Sequence, residues 1–449
     1  MLRKRWFRWL IPGLNIKRWL ALYSLGVGLL IIGISLLFNY QWLSYIEDIV
    51  LAYSYSLTGY YNYNVLILVG AVLIGIAAVL ILVGTSKVIK TIIRAVLPDP
   101  SSKVSDIIFQ NIRLDKGPKI VVIGGGTGLS NLLRGLKAHT SNLSAIVTVA
   151  DDGGSSGRLR EDFKMIAPGD LRNCLVALAE QEGVMENLFR YRFEGNNELS
   201  GHSFGNLFIT ALAQVYAGDV EEALEAASKL LRVRGRVIPS STEFIQLSAE
   251  LIDGTIVDGE SNIPHAGKKI KRVFSSPEHP KPEGAALRAI DEADVIILGP
   301  GSLYTSIIPN LLTDKIADHV RASKANKIYI ANVMTQPGET SGYTLADHVQ
   351  AIIDHSGVGI IDTVLANDGP LPIQMVEQYS AVGSEPVAID SKRLQDMGIR
   401  TVRATLISQE KPAIHDPERL GKVLMDIIYA MKSDMEPRVL EYYLRRADH

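Results

Sequence analysis

The chain has 449 residues, with 46 Lys+Arg against 48 Asp+Glu and 47% hydrophobic residues. That length allows two or three domains at ~150 residues each, and the composition excludes a disordered chain and, lacking a G-X-Y period, a collagen. One cysteine, Cys174, excludes an internal disulfide framework and a cysteine-built zinc site. Charge is unevenly spread. Residues 1–117 hold twelve Lys/Arg and five Asp/Glu, a net of +7, whereas residues 118–449 hold 34 and 43, a net of −9. An acidic domain of that size lacks the electrostatic footprint of a nucleic-acid binder, so no nucleic acid is expected as a partner.

The basic part adjoins two apolar runs. Residues 19–38 (WLALYSLGVGLLIIGISLLF) and 65–84 (VLILVGAVLIGIAAVLILVG) contain no charge. As helices each reaches ~30 Å, the thickness of a bilayer's hydrocarbon core. A signal peptide is the competing reading of the first run, but the run is too long, no A-x-A site follows, and a second run comes after it. Arg3, Lys4, Arg5, Arg8, Lys17 and Arg18 precede the first run, and Lys87, Lys90 and Arg94 follow the second. The connection 39–64 has no Lys or Arg, only Glu47 and Asp48. The positive-inside rule then predicts a cell-membrane protein with both termini and the main domain cytoplasmic. Tyr40, Tyr45, Tyr53, Tyr55, Tyr60, Tyr61 and Tyr63 make that connection either an interfacial aromatic belt or a plain exposed connector. With no charge inside either span, the hairpin reads as an anchor. Residues 85–97 read as an amphipathic basic helix on the inner leaflet, ended by LPDPSSK. The expected organisation is a basic N-terminus (1–18), a transmembrane hairpin (19–84), a juxtamembrane helix and linker (85–117), and a cytoplasmic domain (118–449).

That domain begins with a β-branched run, KIVVI (119–123), then Gly124-Gly125-Gly126-Thr127-Gly128 and a helix-spaced segment with Leu129, Leu132, Leu133 and Leu136. AIVTVA (145–150) is the next strand, and VIILG (295–299), KIYIANV (327–333) and GIIDTVLAN (359–367) repeat the pattern. Strand–helix–strand with a Gly loop after the first strand predicts an α/β fold, a Rossmann-like doubly wound, mainly parallel sheet. The polar loops all follow strands, so they are expected to converge on one cleft at the strands' carboxyl ends. A terminal helix is expected near 417–432.

Each loop has a functional and a plain reading. Gly124 to Gly128 is either a phosphate cradle, with backbone N–H groups and a helix N-terminus facing an anion, or a tight turn. It is no P-loop, since no Gly-Lys-Ser/Thr follows, and Leu129 spoils the dinucleotide fingerprint. Asp151 and Asp152 suit ribose or Mg²⁺, Asp152 being the candidate metal ligand, or else an Asx turn. GGSSGRLR, with Arg158 and Arg160, suits a mobile loop closing over phosphates or a solvated loop. Asp170 in PGDLRN is a helix N-cap or a ligand contact, with Arg172 and Asn173 beside it. Cys174 belongs to a core stretch. Gly201-His202-Ser203-Phe204-Gly205 matches G-x-S-x-G, but no strand precedes it, so Ser203 is read as an N-cap that leaves His202 and Asn206 free to touch a ligand. Gly299 to Ser306 is a second anion cradle, with Gly301, Ser302, Thr305 and Ser306 as candidates.

Taken together, VVIGGGTGLSNLLRGLK, TVADDGGSSGRLR, APGDLRNCLVALA, LSGHSFGNL, DGTIVDGESNI, ADVIILGPGSLYTSIIPNLL, ANVMTQPGET and YTLADHV resemble the YvcK family of bacterial regulators, part of the CofD-like (2-phospho-L-lactate transferase-like) superfamily. The resemblance implies a non-catalytic regulator that binds UDP-N-acetylglucosamine or a related nucleotide diphosphate. It implies control of cell-wall precursor supply and cell shape during growth on gluconeogenic carbon. Its implied partners are an enzyme of amino-sugar synthesis and a Ser/Thr kinase, and it allows a homo-oligomer. Carried over by motif, the ligand contacts are Gly124 to Gly128, Asp151, Asp152, Asp170, Asn173, His202, Asn206, Gly301 and Ser302. Transferase relatives use Mg²⁺, which is the alternative reading: a Mg²⁺-dependent transferase with a nucleotide diphosphate donor. A membrane hairpin departs from the soluble members expected of this family.

Overall fold

Buried parallel strands read as continuous apolar runs, and the first one here, Ile120–Gly124 (β1), is buried along its whole length. In a computed structural model, described for residues 16–38, 44–60, 63–96, 113–180, 182–407 and 415–432, the chain divides into two units, Met1–Gln110 and Asn111–His449.

In the first unit, helix α1 (Ile16–Phe38) and helix α3 (Tyr63–Val96) carry the two apolar runs. Both are long and apolar enough to cross a membrane, over Arg18–Leu37 and Asn64–Thr91. They pack through small residues seven apart: Gly26 and Gly33 on α1, and Gly70, Ala77 and Gly84 on α3. A Cβ on Gly33 would lie 2.8 Å from Ile74 Cγ1 and 3.0 Å from the Gly70 carbonyl, and one on Gly26 would lie 2.8 Å from Ile81 Cγ1. Small residues let helix backbones approach closely where no hydrophobic drive exists between them. The outer faces present Leu25, Ile31, Leu68, Val79 and Leu82 to the surroundings. The Lys87 ammonium sits 5.3 Å from the Trp19 ring centroid, so the start of α1 and the far end of α3 share one end of the pair. Two local expectations change. The connection contains a helix, α2 (Ser44–Thr58). Residues 85–96, expected as a separate helix on the leaflet, continue α3 without a break, because nothing after Gly84 interrupts helical spacing before Pro98. The basic residues Arg3, Lys4, Arg5 and Arg8, and most of the 98–117 linker, lie outside the described residues.

The second unit is built on a seven-stranded sheet in the order β10-β9-β8-β7-β1-β2-β3, with every pairing parallel. Besides β1 these are β2 (Leu143–Val147), β3 (Arg236–Pro239), β7 (Val295–Leu298), β8 (Asn326–Ile330), β9 (Thr363–Asn367) and β10 (Arg400–Ala404). The Rossmann-like α/β expectation holds. A three-stranded antiparallel sheet, formed by β4 (Gln246–Leu251), β5 (Ile256–Asp258) and β6 (Ile270–Ser276), is inserted between β3 and β7. From β1 the chain proceeds outward through β2 and β3, then returns to β7 on the other side of β1. The topological switch point is therefore β1/β7, where loops diverge and leave a crevice.

Candidate functional site at the switch point

Both glycine loops leave the sheet at this point. The first enters helix α4 (Gly126–Leu136). Gly126 has φ +67, the left-handed region that favours glycine. Gly128 faces the second loop directly: a Cβ there would stand 2.5 Å from the Pro300 carbonyl oxygen. A Cβ on Gly301 would stand 3.3 Å from the Gly125 carbonyl oxygen. The two turns thus share one rim, as the convergence of strand-end loops predicts. The second loop continues as a π-helical turn, Leu303–Ile307, with the Ile307 N–H bonding back to the Ser302 carbonyl at 3.0 Å. π-turns are frequent at functional sites. Between the loops lies a cleft of about 450 Å³ whose walls include Gly125 to Gly128, Gly301, Ser302, Ser306, Gln336, Tyr379 and His415. A larger cavity, about 520 Å³, opens along the edge strand β3 beside Glu225 and Arg236, and none of the predicted site residues lines it.

Gly124 is buried as the last residue of β1, and its carbonyl accepts from the Asn310 side chain at 3.1 Å. Thr127 is exposed on the rim. Asp170 is no N-cap. Pro168 opens helix α6 (Pro168–Leu178), and Asp170 falls in its first turn. Its carboxylate instead faces the first glycine loop, with Oδ2 2.6 Å from where a Cβ on Gly125 would stand, and the Gly126 N–H and the Asn173 side chain favour its charged form. Burial first, then Asp151, pushes its pKa up to about 6.

Helix α5 (Gly154–Phe163) replaces the expected mobile loop. Arg160 explains why. It is 2% exposed, donates to the Ala150 and Ile245 carbonyls, and stacks 3.8 Å from the Phe244 ring centroid. Arg160 is a packing residue, whereas Arg158 is exposed and donates to the Ser200 carbonyl at 2.9 Å. Ser203 caps helix α7 (Phe204–Val215), as expected, by accepting the Asn206 N–H. Asn206 donates to Ser155 Oγ at 3.1 Å, and that hydroxyl lies 3.0 Å from His202 Nδ1. Which of the two donates depends on the imidazole tautomer, since the Ser155 hydroxyl can both donate and accept. Burial, then Arg158, lowers the His202 pKa. Arg172 ties Ser203, Asn206 and Asn173 together at 2.6, 3.0 and 2.9 Å.

Asp151 accepts the Gly153 N–H at 3.0 Å, an Asx turn. Asp152 is engaged by backbone donors. Its two oxygens accept the Glu260 and Ser261 N–H groups at 2.9 Å each, fastening the turn Glu260–His265 to the end of β2. Among the described residues no group of three or more His, Cys, Asp and Glu is arranged to hold a metal ion.

Reading the sequence missed a supporting layer. The Asn332 side-chain amide donates to the Gly301 carbonyl at 2.9 Å, and Gln336 donates to Ser302 Oγ at 2.8 Å. Glu339, 5% exposed, accepts the Tyr304 N–H at 3.2 Å and the Thr305 hydroxyl at 3.3 Å. Burial pushes its pKa up to about 7. Burial, then Asp151 and Asp152, raises the pKa of Glu260 to about 8. MTQPGET and DGESNI, polar stretches just beyond strands or turns, were the available signal for Gln336, Glu339 and Glu260. Tyr379 and His415 lie in a tail without interpretable motifs. His415 is 7% exposed, its Nε2 has no partner, and burial lowers its pKa to about 4.

With that geometry in place, the likeness to known proteins becomes specific. Residues 120–407 match the family model described as 2-phospho-L-lactate transferase CofD. A Nostoc sp. protein described provisionally as a gluconeogenesis factor is 45% identical over 427 residues, covering 94% of this chain and 92% of its own. The gluconeogenesis factor of Bacillus subtilis is 48% identical over 312 residues, covering 69% of this chain and 98% of its own. A crystal structure of a Bacillus halodurans protein is 50% identical, with a TM-score of 0.67, and covers 69% of this chain and 100% of that one. The Nostoc match is too long to be confined to the second unit, so an extended N-terminal part is shared with at least one relative.

Proposed function

Because the chain belongs to the CofD family, and groups within it with the proteins named gluconeogenesis factor, we propose that it is a membrane-anchored regulator that binds UDP-N-acetylglucosamine and so governs cell-wall precursor supply and cell shape. The observation that carries this reading is the meeting of two glycine loops at the β1/β7 switch point. A diphosphate needs backbone donors from more than one direction, and a helix N-terminus favours its charge. Gly126 to Gly128 and Gly301-Ser302 offer such a rim. The adjoining cluster of Arg158, Arg172, Asn173, His202 and Asn206 supplies polar groups for a sugar or base. Ligand would act by favouring one arrangement of these loops, which a partner enzyme of amino-sugar synthesis or a Ser/Thr kinase then reads.

The anchor is α1 and α3 crossing the membrane, with both termini and the second unit cytoplasmic. The Lys and Arg distribution supports that orientation, and so do Trp19 and Lys87 at one shared end. Titration calorimetry on the full chain in detergent tests the ligand. Saturable heat with UDP-N-acetylglucosamine is expected. Binding of guanosine diphosphate compounds with no response to uridine ones overturns the reading.

A further inference from the structure

The connection between the two long helices carries a surface that neither of them covers. Helix α2 packs on α3. Glu47, Val50, Leu51 and Ser54 recur at helical spacing along one side of it and are buried or half-buried. Tyr45, Ile49, Tyr53 and Leu57 recur every four residues along a second side, and each is more than half exposed. A four-residue repeat drifts by only ~40° per step around a helix, so these side chains form one stripe. Exposed Asp48 and Tyr55 lie on the remaining side.

Chain length says what lies beside the stripe. Phe38 ends α1 and Tyr63 begins α3, the two helices long and apolar enough to cross a membrane. The links from Phe38 to Ser44 and from Thr58 to Tyr63 reach at most ~21 Å and ~18 Å when fully extended. A helix held by both links and packed on α3 stays at the surface where the pair emerges. Trp19 and Lys87 mark the opposite end of the pair. The connection 39–64 has no Lys or Arg, so anionic headgroups offer it no charge attraction. Tyrosine rings suit a boundary that is apolar on one side and wet on the other. We propose that α2 is an interfacial helix whose partner is the lipid surface itself. Its Tyr45–Ile49–Tyr53–Leu57 stripe lies in the headgroup and acyl boundary of the leaflet opposite the Trp19–Lys87 end. This rests on the anchor reading and adds to it. Lys87 and Lys90 hold the hairpin at one surface and an apolar helix face holds it at the other, so its depth and tilt are set at both leaflets.

Spin labels placed one at a time on the full chain test this in phosphatidylcholine vesicles with no other protein present. Ile49→Cys, Tyr53→Cys and Leu57→Cys report the stripe, Asp48→Cys the side away from it, and Leu68→Cys the exposed face of α3. Cys174 is buried and stays unlabelled. Collision with oxygen, which concentrates in lipid, is compared with collision with a water-soluble nickel chelate. For a helix seated ~5–10 Å into the boundary, the stripe labels are expected to show an oxygen-to-nickel ratio about threefold or more above that of Asp48→Cys. Their ratio is expected to stay below that of Leu68→Cys. Stripe ratios equal to that of Asp48→Cys, with Leu68→Cys in lipid, overturn the interfacial helix and leave the anchor standing. Stripe labels shielded from both reagents also overturn it, because a second copy of the chain then covers them. A Leu68→Cys label open to the nickel chelate removes the anchor reading, and the interfacial helix with it.

Discussion

A methyl group on Gly128 would overlap the Pro300 carbonyl, 2.5 Å from the Cβ position, and that carbonyl belongs to a loop pinned from behind by Asn332 and Gln336. The loops must therefore separate to admit it, at a cost of about 1–3 kcal/mol for such overpacking. Gly128→Ala is expected to weaken nucleotide-sugar binding by roughly tenfold or more while the sheet still forms. Calorimetry beside a melting curve checks it, and unchanged affinity would mean that the two turns do not act on one ligand. Glu339 makes a second residue-scale prediction. Its pKa is raised to about 7 in the fold against about 4.3 in an unfolded chain. Between those values the native state binds more protons than the unfolded one, so stability falls as pH rises through the window and the loss is complete above about 7. The shift corresponds to ~4 kcal/mol at most. Glu339→Gln is expected to melt higher than the wild type at pH 8 and to lose that advantage near pH 4. A variant that melts lower at both ends contradicts the sign.

Glycine spacing decides matters at the scale of elements as well. In the hairpin, Gly33 abuts Ile74 and Gly70, whereas Gly28, on the same helix, has nothing within 4 Å of its Cβ position. Gly33→Ile is therefore expected to push α1 away from α3, and Gly28→Ile to leave the pair intact. Spin labels at Leu20 and Val83, both exposed, report the separation in a bilayer. Equal distances in both variants would remove the close-packed hairpin from the account. The same scale shows what could be read from residues alone. β1 with its Gly loop, β2 and the final helix Pro417–Lys432 are signalled by apolar period and by glycine placement, both local properties. β3 is four residues ending in Pro239, too short and too interrupted to read as the edge strand beside β2. β4 to β6 escape because each is an amphipathic strand of a small sheet whose partners are set by tertiary pairing. Asp170 shows the same limit within the site. Its type and its place near a helix start suggested a cap, but Pro168 occupies the first helical position, and what its carboxylate faces, the first glycine loop, is distant in sequence. Likewise Asp152 was legible as an acid at a strand end, but its backbone partners, the Glu260 and Ser261 N–H groups, lie far away in sequence.

For the whole molecule the question is how far the two units depend on each other. The Bacillus subtilis relative and the Bacillus halodurans structure each cover 69% of this chain while being matched over 98% and 100% of their own lengths, so proteins equivalent to the second unit exist without the first. Every residue assigned to the crevice falls within Asn111–His449. The hairpin, for its part, exposes Leu25, Ile31, Leu68 and Leu82, side chains that water disfavours and a bilayer accepts. Removing residues 1–110 is therefore expected to release the protein from membranes into the soluble fraction with its affinity for UDP-N-acetylglucosamine within about threefold of the full chain, a difference under ~1 kcal/mol. Fractionation and calorimetry on the same preparation separate the possibilities. A truncated chain that stays with the membrane assigns anchoring to the second unit or to a partner, and one that is soluble but binds far more weakly makes the hairpin part of the ligand site. If both expectations hold, the N-terminal part changes where the sensor sits and not what it senses, and the charge split between +7 and −9 marks a division of labour along the chain.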